Sequence, residues 1–278
     1  MEDELSTFYV SAQFPEAFSL RDFFLSLKGF FKYVNLVFNK NHISVTETSE
    51  DNMFLANIDI DTNKLRNYWF INRSDDPTLN SLTVIVDVKC LTTKLCAAKK
   101  GKLMVLSVDK KNTIRFQVDN IVNEMAAPET QARPWLFSIP KTNIYRCFVS
   151  ELHQICFNAC NNKSDLIISS INYPKETEDQ GISFTPIELC GKKGPITNIT
   201  RDVNNGYHIL SDSKDEVFEI RLEKKYLSLL THISKWADQH TVVSITGGTK
   251  KTGTEVYNLI FFKTCIRGYG TIVFSIKC

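Results

Sequence analysis

Apolar side chains recur at the spacing of one helix face over residues 20–34, where Leu20, Phe23, Phe24, Leu27, Phe31 and Val34 share a stripe. Arg21, Leu25, Lys28 and Lys32 share the opposite one. Short alternating or apolar runs follow at 34–38, 42–48, 53–59, 67–71 and 82–86, separated by Asn-Lys-Asn, Ser-Glu-Asp-Asn and Asp-Asp-Pro clusters. Period-two runs between such breaks predict successive antiparallel strands. A second helix is predicted over 88–99, with Val88, Leu91, Leu95 and Ala98 inward, Lys89, Thr93 and Lys100 roughly opposite, Lys94 on a flank and Gly101 as a stop. Runs at 103–108 and 113–118 read as a hairpin.

Periodicity then fades, and residues 119–133 read as an interdomain linker, although Ile121, Val122 and Met125 are unusual for a mere spacer. Beyond it the same order returns. A strand at 135–139 precedes a third helix with Tyr145, Phe148, Val149, Leu152, Ile155 and Cys156 on its apolar face and Arg146, Ser150, Gln154 and Phe157 facing away. Strands are predicted at 165–171, 182–189, 196–201, 207–210 and 217–222, with Asn205-Gly206 as a tight hairpin turn. A fourth helix over 223–237 buries Tyr226, Leu229, Leu230, Ile233 and Trp236, opposite Lys224, Ser228, Thr231 and Lys235. Strands at 241–246, 256–264 and 271–277 finish the chain.

The 278 residues suffice for two domains of ordinary size. An apolar share of 43% and a charged share of 23% describe a folded globular chain. A formal charge of +2 excludes a histone-like or tail-driven nucleic-acid binder, so any DNA contact must come from locally arranged cations. The opening Met-Glu-Asp-Glu-Leu lacks the order of a secretory signal, and no apolar run nears the roughly 20 residues of a membrane helix, so an intracellular, soluble protein is expected. Eight scattered cysteines read as reduced thiols, and the sequons at Asn72, Asn162 and Asn198 as chance matches.

No arrangement of nucleophile, acid and base stands out, so no enzyme, metal or cofactor is expected. The five histidines show no metal-ligand spacing. Gly247-Gly-Thr-Lys-Lys-Thr-Gly253 has the composition of a phosphate loop but the wrong lysine spacing, and strand-like sequence follows it, which predicts a hairpin turn. The helix stripes carry more. One lysine opposite an apolar face is a solvated surface residue, but four such helices in duplicated order make a pattern. If related helices line one surface, Arg21, Lys28, Lys32, Lys89, Lys94, Arg146, Lys224 and Lys235 can meet phosphates without reading bases.

These segments, in this order, resemble the DNA sliding clamps of the proliferating cell nuclear antigen family. The stretch from Leu20 to Lys28, continuing through 42–47 and 53–58, is similar to that family's opening unit, with Arg21 and Lys28 where its DNA-facing cations fall. Residues 86–95 resemble the second helix and its entering strand, 145–155 the third, and 225–231 the fourth. The resemblance implies an α+β fold of two similar clamp domains, with inner helices and outer antiparallel sheets. Boundaries at 1–118 and 134–278, joined by a connector at 119–133, are expected. It implies a non-enzymatic processivity factor that encircles duplex DNA and tethers DNA polymerase and other clamp-motif proteins, put in place by a clamp loader. A homotrimer acting in the nucleus or a viral replication compartment is expected, with 113–118 and 196–201 as facing edge strands. The partner pocket would use Asn52, Met53, Ile121, Met125, Tyr257, Val273 and Ile276. Asp22, Cys147, Ser150 and His232 stand where the family often has Lys or Arg. A checkpoint-type heteromeric clamp subunit and a clamp-like transcription or scaffold protein are the alternatives.

Overall fold

Alternating burial along the strands and one-sided burial along the helices build the same pattern twice. The structure, a computed structural model, describes residues 8–71, 80–97, 99, 101–109, 113–126, 144–172, 180–187, 193–200, 219–252, 255–267 and 269–278. It resolves into two units. The first comprises Met1–Asp51, Leu55–Trp135 and Ile266–Ile272, and the second Asn52–Phe54, Leu136–Cys265 and Val273–Cys278. Each unit therefore includes a short segment from the other half of the sequence.

In the first unit the elements run β1 (Phe8–Phe14), α1 (Ala17–Leu27), β2 (Tyr33–Asn39), β3 (His42–Thr48), β4 (Phe54–Asp61), β5 (Asn67–Phe70), β6 (Ser81–Asp87), α2 (Val88–Lys94), β7 (Met104–Asp109), β8 (Thr113–Val118) and β9 (Ile121–Ala126). One sheet has the order β5-β1-β7-β8-β9, and β6-β2-β3-β4 are neighbours in another. Val34, Leu36 and Phe38 of β2 point to the core opposite Val86, Val84 and Leu82 of β6, and all but Leu82 are fully excluded from solvent or nearly so. Helix α1 buries Leu20, Phe23, Phe24 and Leu27, and it packs beside α2. Asp87 caps α2 by accepting from the Cys90 amide at 2.7 Å.

Three expectations for this unit change. The first helix ends at Leu27 rather than near residue 34, because Lys28 and Gly29 open a turn. Phe31 is buried in that turn, and Val34 is already a strand residue paired with Val86. Residues 121–126 of the expected linker form β9, which pairs with β8 from Val118↔Ile121 to Thr113↔Ala126. As a result β8 is an interior strand, flanked by β7 and β9, and the edge of the sheet is β9.

The second unit runs β10 (Ile144–Phe148), α3 (Val149–Asn161), β11 (Asp165–Asn172), β12 (Gln180–Ile187), β13 (Thr197–Thr200), β14 (Glu219–Leu222), α4 (Lys224–Thr231), α5 (Ile233–Trp236), β15 (Val242–Thr252), β16 (Glu255–Ile266) and β17 (Gly270–Lys277). Its sheet orders, β10-β15-β16-β17 and β14-β11-β12-β13, repeat the β1-β7-β8-β9 and β6-β2-β3-β4 orders of the first unit. The helices keep their places too: α1 follows β1 as α3 follows β10, and α2 follows β6 as α4 follows β14. The fold is α+β, with two similar units and antiparallel sheets. Its aromatic core in this unit joins Phe54 to Tyr226 and Phe274 at 6.0 and 5.6 Å between ring centroids, with Trp236 edge-on to Phe274 at 5.8 Å.

Here the third helix starts at Val149, later than expected, because Tyr145, Arg146, Cys147 and Phe148 alternate in burial and pair with β15 as a strand. The expected fourth helix is two short ones, broken at His232. Gly247 and Gly248 are not a turn but buried strand residues opposite Ile260 and Leu259. The strands expected at 135–139 and 207–210, and the turn at Asn205-Gly206, lie outside the described residues. Among the described residues, no helix is long and apolar enough to cross a membrane.

Tyr269 gives the first unit a testable signature. It is 3% exposed, its hydroxyl donates to the Glu16 carbonyl at 3.3 Å, and its ring meets Phe14 edge-on. The adjacent Gly270 is required by close approach, since a Cβ there would lie 2.7 Å from the Asp59 carbonyl oxygen. Burial pushes the Tyr269 hydroxyl up to about 12, opposed by a Ser19 hydrogen bond. Below about pH 10 the phenol is neutral in both folded and unfolded chains; above it the unfolded chain ionises first. Stability should therefore fall as pH rises from about 10 to about 12, by on the order of 3 kcal/mol from this group. Urea denaturation across that window should show a shallower loss for Tyr269→Phe, and identical alkaline limbs would remove Tyr269 as the cause.

Candidate nucleic-acid and partner interfaces

The helix pairs sort the expected DNA-facing cations into three kinds. Lys28 at the end of α1, Lys89 in α2, Lys224 in α4 and Lys235 in α5 are exposed on helices or their caps. Arg21 and Lys94 are also helical but half-buried. Arg21 turns to its neighbour, donating from Nε to Asp22 Oδ1 at 2.8 Å with a second nitrogen at 2.7 Å, so much of its charge is neutralised locally. Lys94 ends α2, and its carbonyl accepts from Asn123 of β9 at 3.1 Å, which satisfies one of the open carbonyls at that terminus.

Lys32 and Arg146 fall off the helices altogether. Lys32 is exposed in the turn before β2, its ammonium 5.0 Å from the Tyr33 ring centre. Arg146 stands in β10, half-buried opposite Ser244 of β15. Its loss from α3 matters, because the thirteen residues of α3 then contain neither Lys nor Arg. The charged group at its start is Glu151, whose carboxylate accepts from the Phe148 amide at 2.7 Å and favours the helix N-terminus. The exposed face of α3 is otherwise built from Ser150, Gln154, Phe157, Asn158 and Asn161.

Helix α4 depends on a neighbouring strand for its start. Its N-cap residue, Glu223, makes no side-chain cap. Asp165 of β11 supplies the acceptors instead, taking the Lys224 amide at 3.2 Å on one oxygen and Arg221 at 2.7 and 2.9 Å on the other. Lys225 lies over the Tyr226 ring at 4.8 Å and 3.5 Å from Glu223. These contacts fix where Lys224 emerges.

The same Asp165–Arg221 pair forms one wall of a cavity of about 570 Å³ in the second unit. Met53 and Tyr226 supply its apolar surface, and Glu219 and Glu223 its acidic rim. Asn258, Lys277 and Cys278 close the other side, where Asn258 and Cys278 exchange main-chain hydrogen bonds and the Lys277 amide donates to the Met53 carbonyl at 2.8 Å. Apolar walls with a few convergent polar groups are the usual make-up of a binding pocket.

Among the residues expected to bind partners, Met53 alone lines this cavity. Asn52 is exposed beside it in sequence, with a left-handed φ of 56°. Val273 is half-buried in β17, and Tyr257 lies in β16 opposite Lys250. Ile276 is fully buried and Met125 is 7% exposed, so both pack inside the fold instead of presenting an anchor site. Ile121, 53% exposed, belongs to the edge strand β9. Sequence reasoning missed Asp165, Arg221 and Asn258; all three fall in predicted strands, but the meeting of Asp165 with Arg221 requires the β11–β14 register that pairs Ile167 with Arg221. Cys147 and Cys156 are buried, and that burial pushes both thiols far above their ordinary range, which marks them as packing residues.

No family model and no curated protein matches the sequence. Solved structures do match. Proliferating cellular nuclear antigen from Entamoeba histolytica superposes with a TM-score of 0.72 at 14% identity, covering 97% of this chain and 98% of that one. The PCNA2–PCNA3 complex from Sulfolobus tokodaii gives 0.69 at 14% identity, covering 96% and 98%. At that identity the likeness speaks for architecture alone, and it extends over nearly the whole chain: this protein has the fold of the PCNA-like sliding clamps.

Proposed function

We propose that this chain is a DNA polymerase processivity factor, a sliding clamp that encircles duplex DNA and tethers replication and repair enzymes without catalysing a reaction itself. The observation that carries the reading is the whole-length likeness to PCNA structures, joined to helices in each unit on which expected cations, Lys28, Lys89, Lys224 and Lys235, are exposed. Sparse cations suit the task. A clamp must hold phosphates without stopping at any sequence, and contact with the backbone alone carries no sequence information. Duplex DNA, a clamp loader, DNA polymerase and other proteins with a short apolar and aromatic motif are its partners, in the nucleus or a viral replication compartment.

Homotrimer closure uses β9 in this reading, in place of β8. An edge strand offers unpaired main-chain groups to another chain, and β9 adds exposed Ile121 and Val122. Strand β13, the edge of its sheet among the described residues, is the complementary surface. The cavity around Met53 is the docking site for the tethered enzymes. A subunit of a heteromeric clamp is the second reading, favoured by the likeness to a complex of two different clamp chains.

Three outcomes test these assignments. Lys28→Glu with Lys224→Glu should weaken duplex binding and flatten its salt dependence by roughly 0.9 per lost phosphate contact, read by anisotropy titrations at several salt concentrations. Unchanged binding would remove the helix layer as the DNA face. Light scattering should give a trimer mass that falls to a monomer for Ile121→Asp with Val122→Asp; a wild-type monomer would instead favour the heteromeric reading. Met53→Asp should weaken capture of a synthetic clamp-motif peptide at least tenfold, or about 1.4 kcal/mol, while duplex binding is retained. Equal peptide affinity would place docking elsewhere.

A further inference from the structure

Leu25 and Phe157 hold the same station in the two units. Each is the ninth residue of the helix that follows its unit's opening strand, in Ala17–Leu27 and Val149–Asn161, and they are 45% and 48% exposed. A single exposed apolar side chain needs no explanation. The same helix position left open twice, each time among polar neighbours, is a pattern. In α1 the neighbours one turn away are Arg21, already held by Asp22, and Lys28. In α3 they are His153, Gln154, Cys160 and Asn161, with Asn158 adjacent and no lysine or arginine in the helix.

Phe157 is also held in place. Its ring stacks on His153, with centroids 5.8 Å apart and planes 22° from parallel. His153 in turn donates from Nδ1 to the Thr231 carbonyl at 2.7 Å, and Ser234 Oγ lies 3.2 Å from the same nitrogen. The imidazole therefore ties α3 to α4 and α5, and the phenyl ring rests on a fixed platform with half its surface open. A group positioned before binding loses little freedom when it makes contact.

We propose that Phe157, with Leu25 as its counterpart in the first unit, makes a non-ionic contact with duplex DNA, so that α3 touches sugar and groove edges while α1, α2, α4 and α5 neutralise phosphates. The inference rests on the clamp reading above. The occupant is set by charge: the helices packed with α1 and α3 carry exposed Lys89 and Lys224, and a polyanion is their complement. An apolar contact releases no counterions, so its contribution persists when salt screens the lysines. It holds the duplex without adding an electrostatic anchor.

Duplex anisotropy titrations over a range of salt concentrations separate this contact from an ionic one. Phe157→Ala in the full chain should weaken binding about fivefold at every salt concentration and leave the salt slope unchanged. Phe157→Lys should tighten binding at low salt and steepen the slope by about 0.9. Thermal melts establish that both variants are folded, and Phe157→Leu should restore much of the affinity lost in the alanine variant. Wild-type affinity in Phe157→Ala, or a wild-type slope in Phe157→Lys, overturns the proposal. If Lys28→Glu with Lys224→Glu still weakens binding in that case, the clamp reading stands without it; if no variant alters duplex binding, both fall.

Discussion

Main-chain pairing between antiparallel strands decides what this fold covers and what it leaves open. Each strand must satisfy its amides and carbonyls on both sides or lie at an edge. In the first unit that requirement turns an apparent spacer into β9, moves the sheet edge outward by one strand and leaves Ile121 and Val122 in solvent. In the second, the β11–β14 register brings Asp165 to Arg221 and to the first amide of α4, so one pairing choice places a helix start, a lysine and a cavity wall together.

The duplication is one of topology more than of chemistry. Both units repeat the succession of four strands in each sheet, with a helix in the same place after the opening strand. Their surfaces have nonetheless diverged. Helix α2 begins with its own Asp87 cap, whereas α4 relies on an aspartate from a neighbouring strand. Helix α1 has a lysine at its C-cap, whereas α3 presents amides, a histidine and a phenyl ring and holds neither Lys nor Arg. The buried faces correspond more closely: Leu20 and Phe24 in one helix, and Leu152 and Cys156 at the same positions in the other, are all buried.

Much of this was legible from periodicity. The buried stripe Leu20, Phe23, Phe24 and Leu27 and the buried set Tyr226, Leu229, Leu230, Ile233 and Trp236 are the residues that spacing singled out. Failures arose where two periods overlap. Tyr145, Phe148, Val149 and Leu152 fit a helix face, yet Tyr145 and Cys147 also fit one face of a period-two strand, and pairing with β15 decides for the strand. Residues 121–126 were obscured because an edge strand needs only one buried side, and Met125 is buried there while Ile121 and Val122 are not. The cavity was hidden for a different reason: its walls come from Met53, β11, β14, α4 and the last strand, and no local pattern records which distant segments converge.

The exchanged segments impose an order on synthesis. Phe54 is made early but packs in the second unit against Tyr226 and Phe274, and Tyr269 is made near the end but packs in the first against Phe14. A domain completed from its own half could fold as it leaves the ribosome. Here the first unit lacks its last buried tyrosine until almost the whole chain has been translated. The ring contact between Phe14 and Tyr269 therefore joins the earliest described strand to one of the last segments made, and that part of the core awaits the end of synthesis.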